Sequence, residues 1–134
     1  MAALRVLVVE DDDELRAMWK ETLEAAGYSC VAFSGAADAL QQLSGLAPAL
    51  IILDMTLPGM DGFEFLARVR GNPTTTHIPM LIVSGLGHAL STAIDAQSAK
   101  ALRLAGILGK PVRPAELLAW VERVVGPAGT REPP

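Results

Sequence analysis

Short apolar runs recur along this chain, each followed by a segment whose apolar residues return at helical spacing. Residues 4–9 are interrupted only by Arg5, residues 50–53 are wholly apolar, and residues 79–83 and 107–108 read the same way. Such continuous runs are what strands covered on both faces require. Residues 28–33 are β-prone and stop at Ser34-Gly35. Between these runs, Leu15, Met18, Trp19, Leu23 and Ala26 lead to Gly27, residues 36–43 are closed by Gly45 and Pro48, and Phe63, Phe65, Leu66 and Val69 end near Gly71-Asn72-Pro73. Residues 89–104 are mostly helical in composition, and residues 114–125 open with a proline suited to a first helical turn. The order is βαβαβαβαβα. With short connections and right-handed crossovers, it predicts an α/β fold in which helices wrap both faces of a parallel sheet.

Four of the predicted strands end in a polar residue with useful chemistry. Glu10 and Asp11 follow the first, Asp54 the third, Ser84 the fourth and Lys110 the fifth. Open parallel sheets bind ligands outside the carboxyl ends of their strands, so these groups are expected to meet. Asp12, Asp13 and Glu14 have a simpler reading, as a helix cap and first-turn acids that favour the helix dipole. Two carboxylates about 4 Å apart repel by roughly 4 kcal/mol at an effective dielectric of 20, which a bound cation removes. The donors are all oxygen, so a hard ion, Mg²⁺ with Mn²⁺ as a substitute, is expected rather than Zn²⁺. His77 and His88 stand at no ligand spacing. A carboxylate can act as a nucleophile toward phosphorus when positive charge and fixed donors surround the transferred group, and Lys110 and Ser84 offer these.

The 134-residue length suits one domain, with 51% hydrophobic and 19% charged residues. A net charge of −4 offers no footprint for nucleic acid, and no apolar run approaches a membrane span. One cysteine, Cys30, precludes an internal disulfide and suits a reducing compartment, so a cytoplasmic location is expected. Residues 126–134 lack apolar periodicity and are expected to form a disordered tail after a domain of residues 1–125.

The motifs VLVVEDD (6–12), LDMTLPGMDG (53–62), IVSG (82–85) and GKP (109–111) together resemble the response-regulator receiver domains of bacterial two-component signalling. The resemblance implies a flavodoxin-like (βα)5 doubly wound sheet in the order 2-1-3-4-5, as in the chemotaxis receiver. It implies that Asp54 accepts a phosphoryl group from a sensor histidine kinase or histidine phosphotransfer protein. Asp11, Asp54 and the backbone carbonyl of Thr56 are then expected to bind Mg²⁺, with Glu10 acting largely through water. Ser84 takes the switch position, Lys110 pairs with phosphoryl oxygens, and Lys110-Pro111 is a candidate cis peptide. The family commonly has an aromatic residue where this chain has Ile107, and the interval from Ser84 to Lys110 is longer than usual, so an extended or irregular helix is expected over residues 89–104.

The reading is therefore a stand-alone signalling switch, not an enzyme with a separate product. It would regulate a downstream protein, or a homodimer, through the face made by the helix over 89–104, the fifth strand and the helix over 114–125. The alternative is a degenerate receiver that docks partners without phosphorylation-driven switching. A phosphatase of the haloacid dehalogenase type is disfavoured because Thr56 stands where that family wants a second Asp. A flavodoxin-like electron carrier is disfavoured by the acidic run after the first strand. Trp120 is expected at the margin of the stripe formed by Leu117, Val121 and Val124, and Trp19 in or beside the core.

Overall fold

A computed structural model of the chain describes residues 3–55 and 60–128. Strands β1 (Arg5–Val9), β2 (Ser29–Phe33), β3 (Leu50–Leu53), β4 (Met80–Ser84) and β5 (Leu104–Gly109) form one parallel sheet in the order β2-β1-β3-β4-β5. Helices α1 (Asp13–Ala25), α2 (Ala36–Leu46), α3 (Gly62–Gly71), α4 (Gly87–Ala93), α5 (Ala96–Ala101) and α6 (Pro114–Val125) connect and follow the strands. This is the flavodoxin-like α/β architecture expected, with the sheet order expected.

Successive strand residues point to opposite faces, and the central strands are apolar apart from Arg5 and Ser84 at their ends, so both faces must be covered. Val6, Val8, Leu50, Ile52, Leu81 and Val83 pack with Trp19 and Leu23 of α1 and Leu117 and Val121 of α6. Leu7, Val9, Ile51, Leu53, Met80 and Ile82 pack with Leu43 of α2 and Phe65 and Val69 of α3. Asp12 caps α1 by accepting from the Leu15 amide, which accounts for one acid of the run without any site chemistry. Trp19 is wholly buried.

The segment expected as one helix over 89–104 is instead two short helices. Ile94 takes an extended conformation, and Asp95 starts α5 afresh by accepting from the Ser98 amide. A side chain that satisfies orphan amides gives the chain a second helix start and ends the first. The last strand is also longer than residues 107–108. It begins at Leu104, after Arg103 in the left-handed region (φ 55°), with a bulge that skips Ala105 in the pairing with β4. Arg70 of α3 holds this entry, donating to the carbonyls of Leu102 at 2.6 Å and Arg103 at 3.3 Å.

The first residues expected in the tail belong to the packed body. Tyr28 Oη donates to the Gly126 carbonyl at 2.7 Å, and Ala128 packs on the α1/α6 core. Residues 129–134 lie outside the described residues, as do Thr56, Pro58 and Gly59 of the segment after β3.

Trp120 is half-buried, as its place beside the apolar stripe predicts. Its ring lies against Gly106 of β5, where a Cβ would come within 2.7 Å of the indole, and the Arg123 guanidinium stacks 4.5 Å from the ring centroid.

Candidate functional site

The sheet fixes the backbone of each site residue before any side chain acts. The Glu10 amide donates to Phe33 O at 3.0 Å, the Asp54 amide to Val9 O at 3.1 Å and the Lys110 amide to Ser84 O at 2.9 Å. Side chains at these strand ends therefore leave the sheet in set directions. Carboxylate oxygens of Glu10, Asp11 and Asp54 all lie within 4.8 Å of one another. Glu10 is fully buried, Asp54 nearly so, and Asp11 is exposed.

Lys110 enters this cluster from β5. Its Nζ stands 2.7 Å from Glu10 Oε1 and donates to Asp54 Oδ2 at 3.1 Å. Among the described residues, the Lys110 ammonium is the group that answers the charge on this buried oxygen. Glu10 Oε2 accepts from the Asp12 amide at 3.0 Å. Burial pushes the Glu10 carboxyl above its ordinary range and the Asp54 charge adds to this, while Lys110 and the Asp12 amide oppose it. For Lys110, burial lowers the ammonium, but Glu10 and Asp54 outweigh burial and hold it above its ordinary value. One ammonium among three acids leaves the cluster short of positive charge, and its ligands are oxygens only. That donor set fits a hard divalent cation.

Ser84 is buried at the end of β4, and its Oγ accepts from the Leu86 amide at 3.2 Å. Ile107 is half-buried on β5 at the margin of the α2/α3 core cluster. The Lys110–Pro111 peptide bond is cis. Glu10, Asp11, Asp54 and Lys110 thus meet at one sheet edge, with Ser84 at the end of the neighbouring strand, whereas the Thr56 carbonyl lies outside the described residues. His77 is exposed ahead of β4, at the strand's other end.

Two residues that support the site went unread in the sequence. Gly62 opens α3 against the residue after Asp54. A Cβ there would lie 2.6 Å from Met55 Cα and 2.6 Å from its sulfur, so only glycine allows this approach. Its amide donates to Met55 O at 3.2 Å, and Asp61 caps the helix through the Glu64 amide. The available signal was the Asp61-Gly62 pair directly before an apolar helical stripe. The other residue, Arg16, sits beneath the acidic connection.

The response regulator receiver domain model matches residues 6–122. The chain belongs to that family. Receivers are signalling switches that work with histidine kinases and downstream targets. A 14.6 kDa protein of Leptolyngbya boryana is 32% identical over 92% of this chain and 91% of its own length. The response regulator FleR of Pseudomonas aeruginosa is 37% identical over 90% of this chain, which spans only 24% of that protein. The chain likewise spans 58% of the P. aeruginosa phosphate regulon regulator PhoB. Among solved structures, the chemotaxis protein CheY4 of Vibrio cholerae superposes with a TM-score of 0.80 at 32% identity, covering 92% of this receiver and 99% of CheY4. Among the described residues of this receiver, no helix is long and apolar enough to cross a membrane.

Proposed function

We propose that this receiver is a phosphorylation switch, taking a phosphoryl group onto Asp54 from a phosphohistidine of a sensor kinase or phosphotransfer protein. The observation that carries this reading is the convergence of Glu10, Asp11, Asp54 and Lys110 at one sheet edge. Asp11, Asp54 and the Thr56 carbonyl would hold Mg²⁺, with Glu10 acting through water. The ion supplies charge that neutralises phosphoryl oxygens in the transition state.

Ionised Asp54 attacks in line. Its Oδ–P bond forms as the donor's P–N bond breaks, and the imidazole leaves with the electron pair. Lys110, already 3.1 Å from Asp54, is placed to pair with the transferred oxygens. Ser84 would exchange its bond from the Leu86 amide for one to the acyl phosphate, loosening the start of α4. Hydrolysis of the acyl phosphate resets the switch without a separate product. Ile107 cannot hydrogen-bond as an aromatic hydroxyl does, so its part in switching is through packing on β5. The readout is protein contact through the face of α4, α5, β5 and α6, with a downstream protein or a second copy, and the setting is cytoplasmic.

Intact-mass measurement after incubation with acetyl phosphate and Mg²⁺ tests this. The parent should gain one phosphoryl group, Asp54→Asn none, and chelation of Mg²⁺ should abolish the gain. An adduct that survives Asp54→Asn sinks the assignment, and a parent that never labels favours a docking module without switching.

A further inference from the structure

Two of the three clustered carboxylates are fixed by burial, but Asp11 is exposed, so its position depends on the backbone that carries it. That backbone is the connection between β1 and α1. Arg16 grips it from α1: Nη1 donates to the Glu10 carbonyl at 3.0 Å and stands 3.5 Å from the Asp11 carbonyl. Nη2 meets Asp13 Oδ1 at 2.6 Å, and the Arg16 side chain is only 22% exposed. The Arg16 amide donates to Asp12 O at 2.9 Å, and the Asp12 amide donates to Glu10 Oε2 at 3.0 Å. The connection is thus laced to the first turns of α1 at several points, and the guanidinium spans the carbonyls of both acidic residues.

We propose that Arg16 is a positioning residue for the divalent cation, holding the backbone of Glu10 and Asp11 so that the Asp11 carboxylate keeps its ligating position before the ion arrives. The proposal rests on the metal reading given above. Two physical effects of Arg16 have opposite signs, which makes it decidable. As a positive charge near the site, Arg16 repels a cation, so neutralising it tightens binding. As a brace, its loss lets the mutually repelling carboxylates spread, so binding weakens. The hydrogen bonds run to backbone carbonyls and not to the ligating oxygens, and a planar guanidinium can reach two carbonyls together where an ammonium is a single point. Bracing therefore outweighs repulsion. Loss of groups that orient metal ligands weakens affinity by about 10-fold or more.

The test is titration of Mn²⁺ alone against the full chain, following the free ion by electron paramagnetic resonance, for the parent, Arg16→Gln and Arg16→Lys. Metal-free urea transitions show that each variant is folded. Arg16→Gln is expected to bind about 10-fold more weakly, and Arg16→Lys, which keeps the charge but not the two-pronged grip, to lie between it and the parent. Equal or tighter binding by Arg16→Gln overturns the proposal. So does an Arg16→Lys protein that matches the parent, because charge alone would then suffice. A parent that binds no Mn²⁺ removes the metal reading itself, along with the role of Arg16.

Discussion

Lys110→Met keeps the stem of the side chain and deletes the ammonium, so it isolates what the charge does. The Nζ group lies 2.7 Å from the fully buried Glu10 and 3.1 Å from Asp54. Without it, carboxylate oxygens within 4.8 Å of one another repel by at least ~3.5 kcal/mol at an effective dielectric of 20. Breaking a buried pair by removing one partner costs roughly 3–5 kcal/mol. Lys110 is 23% exposed, which places the expected loss near the lower end, about 3 kcal/mol in metal-free protein at about pH 8.

The pH dependence identifies the cause. Glu10 is raised in the folded state, so its contribution to stability is fully present below the ordinary carboxyl range and is lost as pH rises through its folded value. Deleting the ammonium removes the influence of Lys110 that lowers Glu10, leaving burial and Asp54 to push it further up. A protonated Glu10 needs no cation, so the difference between variant and parent should be smaller at about pH 5 than at about pH 8. Lys110 itself is raised above its ordinary value, and its own contribution is lost only at strongly alkaline pH, outside this window. Urea unfolding at several pH values, with chelator present, reads the effect, and added Mg²⁺ should restore more stability to the variant than to the parent. A loss of equal size at both pH values would refute the electrostatic account and point to packing of the lysine stem.

Gly62→Ala should destabilise by about 2 kcal/mol in urea unfolding, because its Cβ meets Met55 backbone that cannot yield, and it should slow labelling of Asp54 by acetyl phosphate. Unchanged stability would mean that α3 can draw back from Met55. Gly106→Ala should push the Trp120 ring off β5 and break its stack with Arg123. The expected result is a changed indole emission spectrum together with a loss of about 1–2 kcal/mol, and an unaltered spectrum would contradict the packing described.

The sheet was readable because strands buried on both faces leave apolar runs that nothing else in a chain of this kind imitates. The acids and Lys110 were readable because each stands immediately after such a run, where the backbone still belongs to the sheet. Residues 89–106 were not, since their alanines and leucines carry little periodicity of either kind. The break rested on one cue, Asp95 three residues before Ser98, which competes with several other polar residues in that stretch. Arg16 escaped notice for a different reason: it acts on carbonyl oxygens, which every residue has, so no side-chain pattern announces its partners. Gly62 depends on a contact with Met55, seven residues back along the chain, which no local pattern announces.

Lys110 ties three strands to one another, through its amide to β4 and through its ammonium to the ends of β1 and β3. It is also the last of these groups to be synthesised. The acids at the ends of the first and third strands therefore gain their counter-charge only once the fifth strand has docked beside the fourth, so the sheet's outermost strand completes the charge balance at its centre.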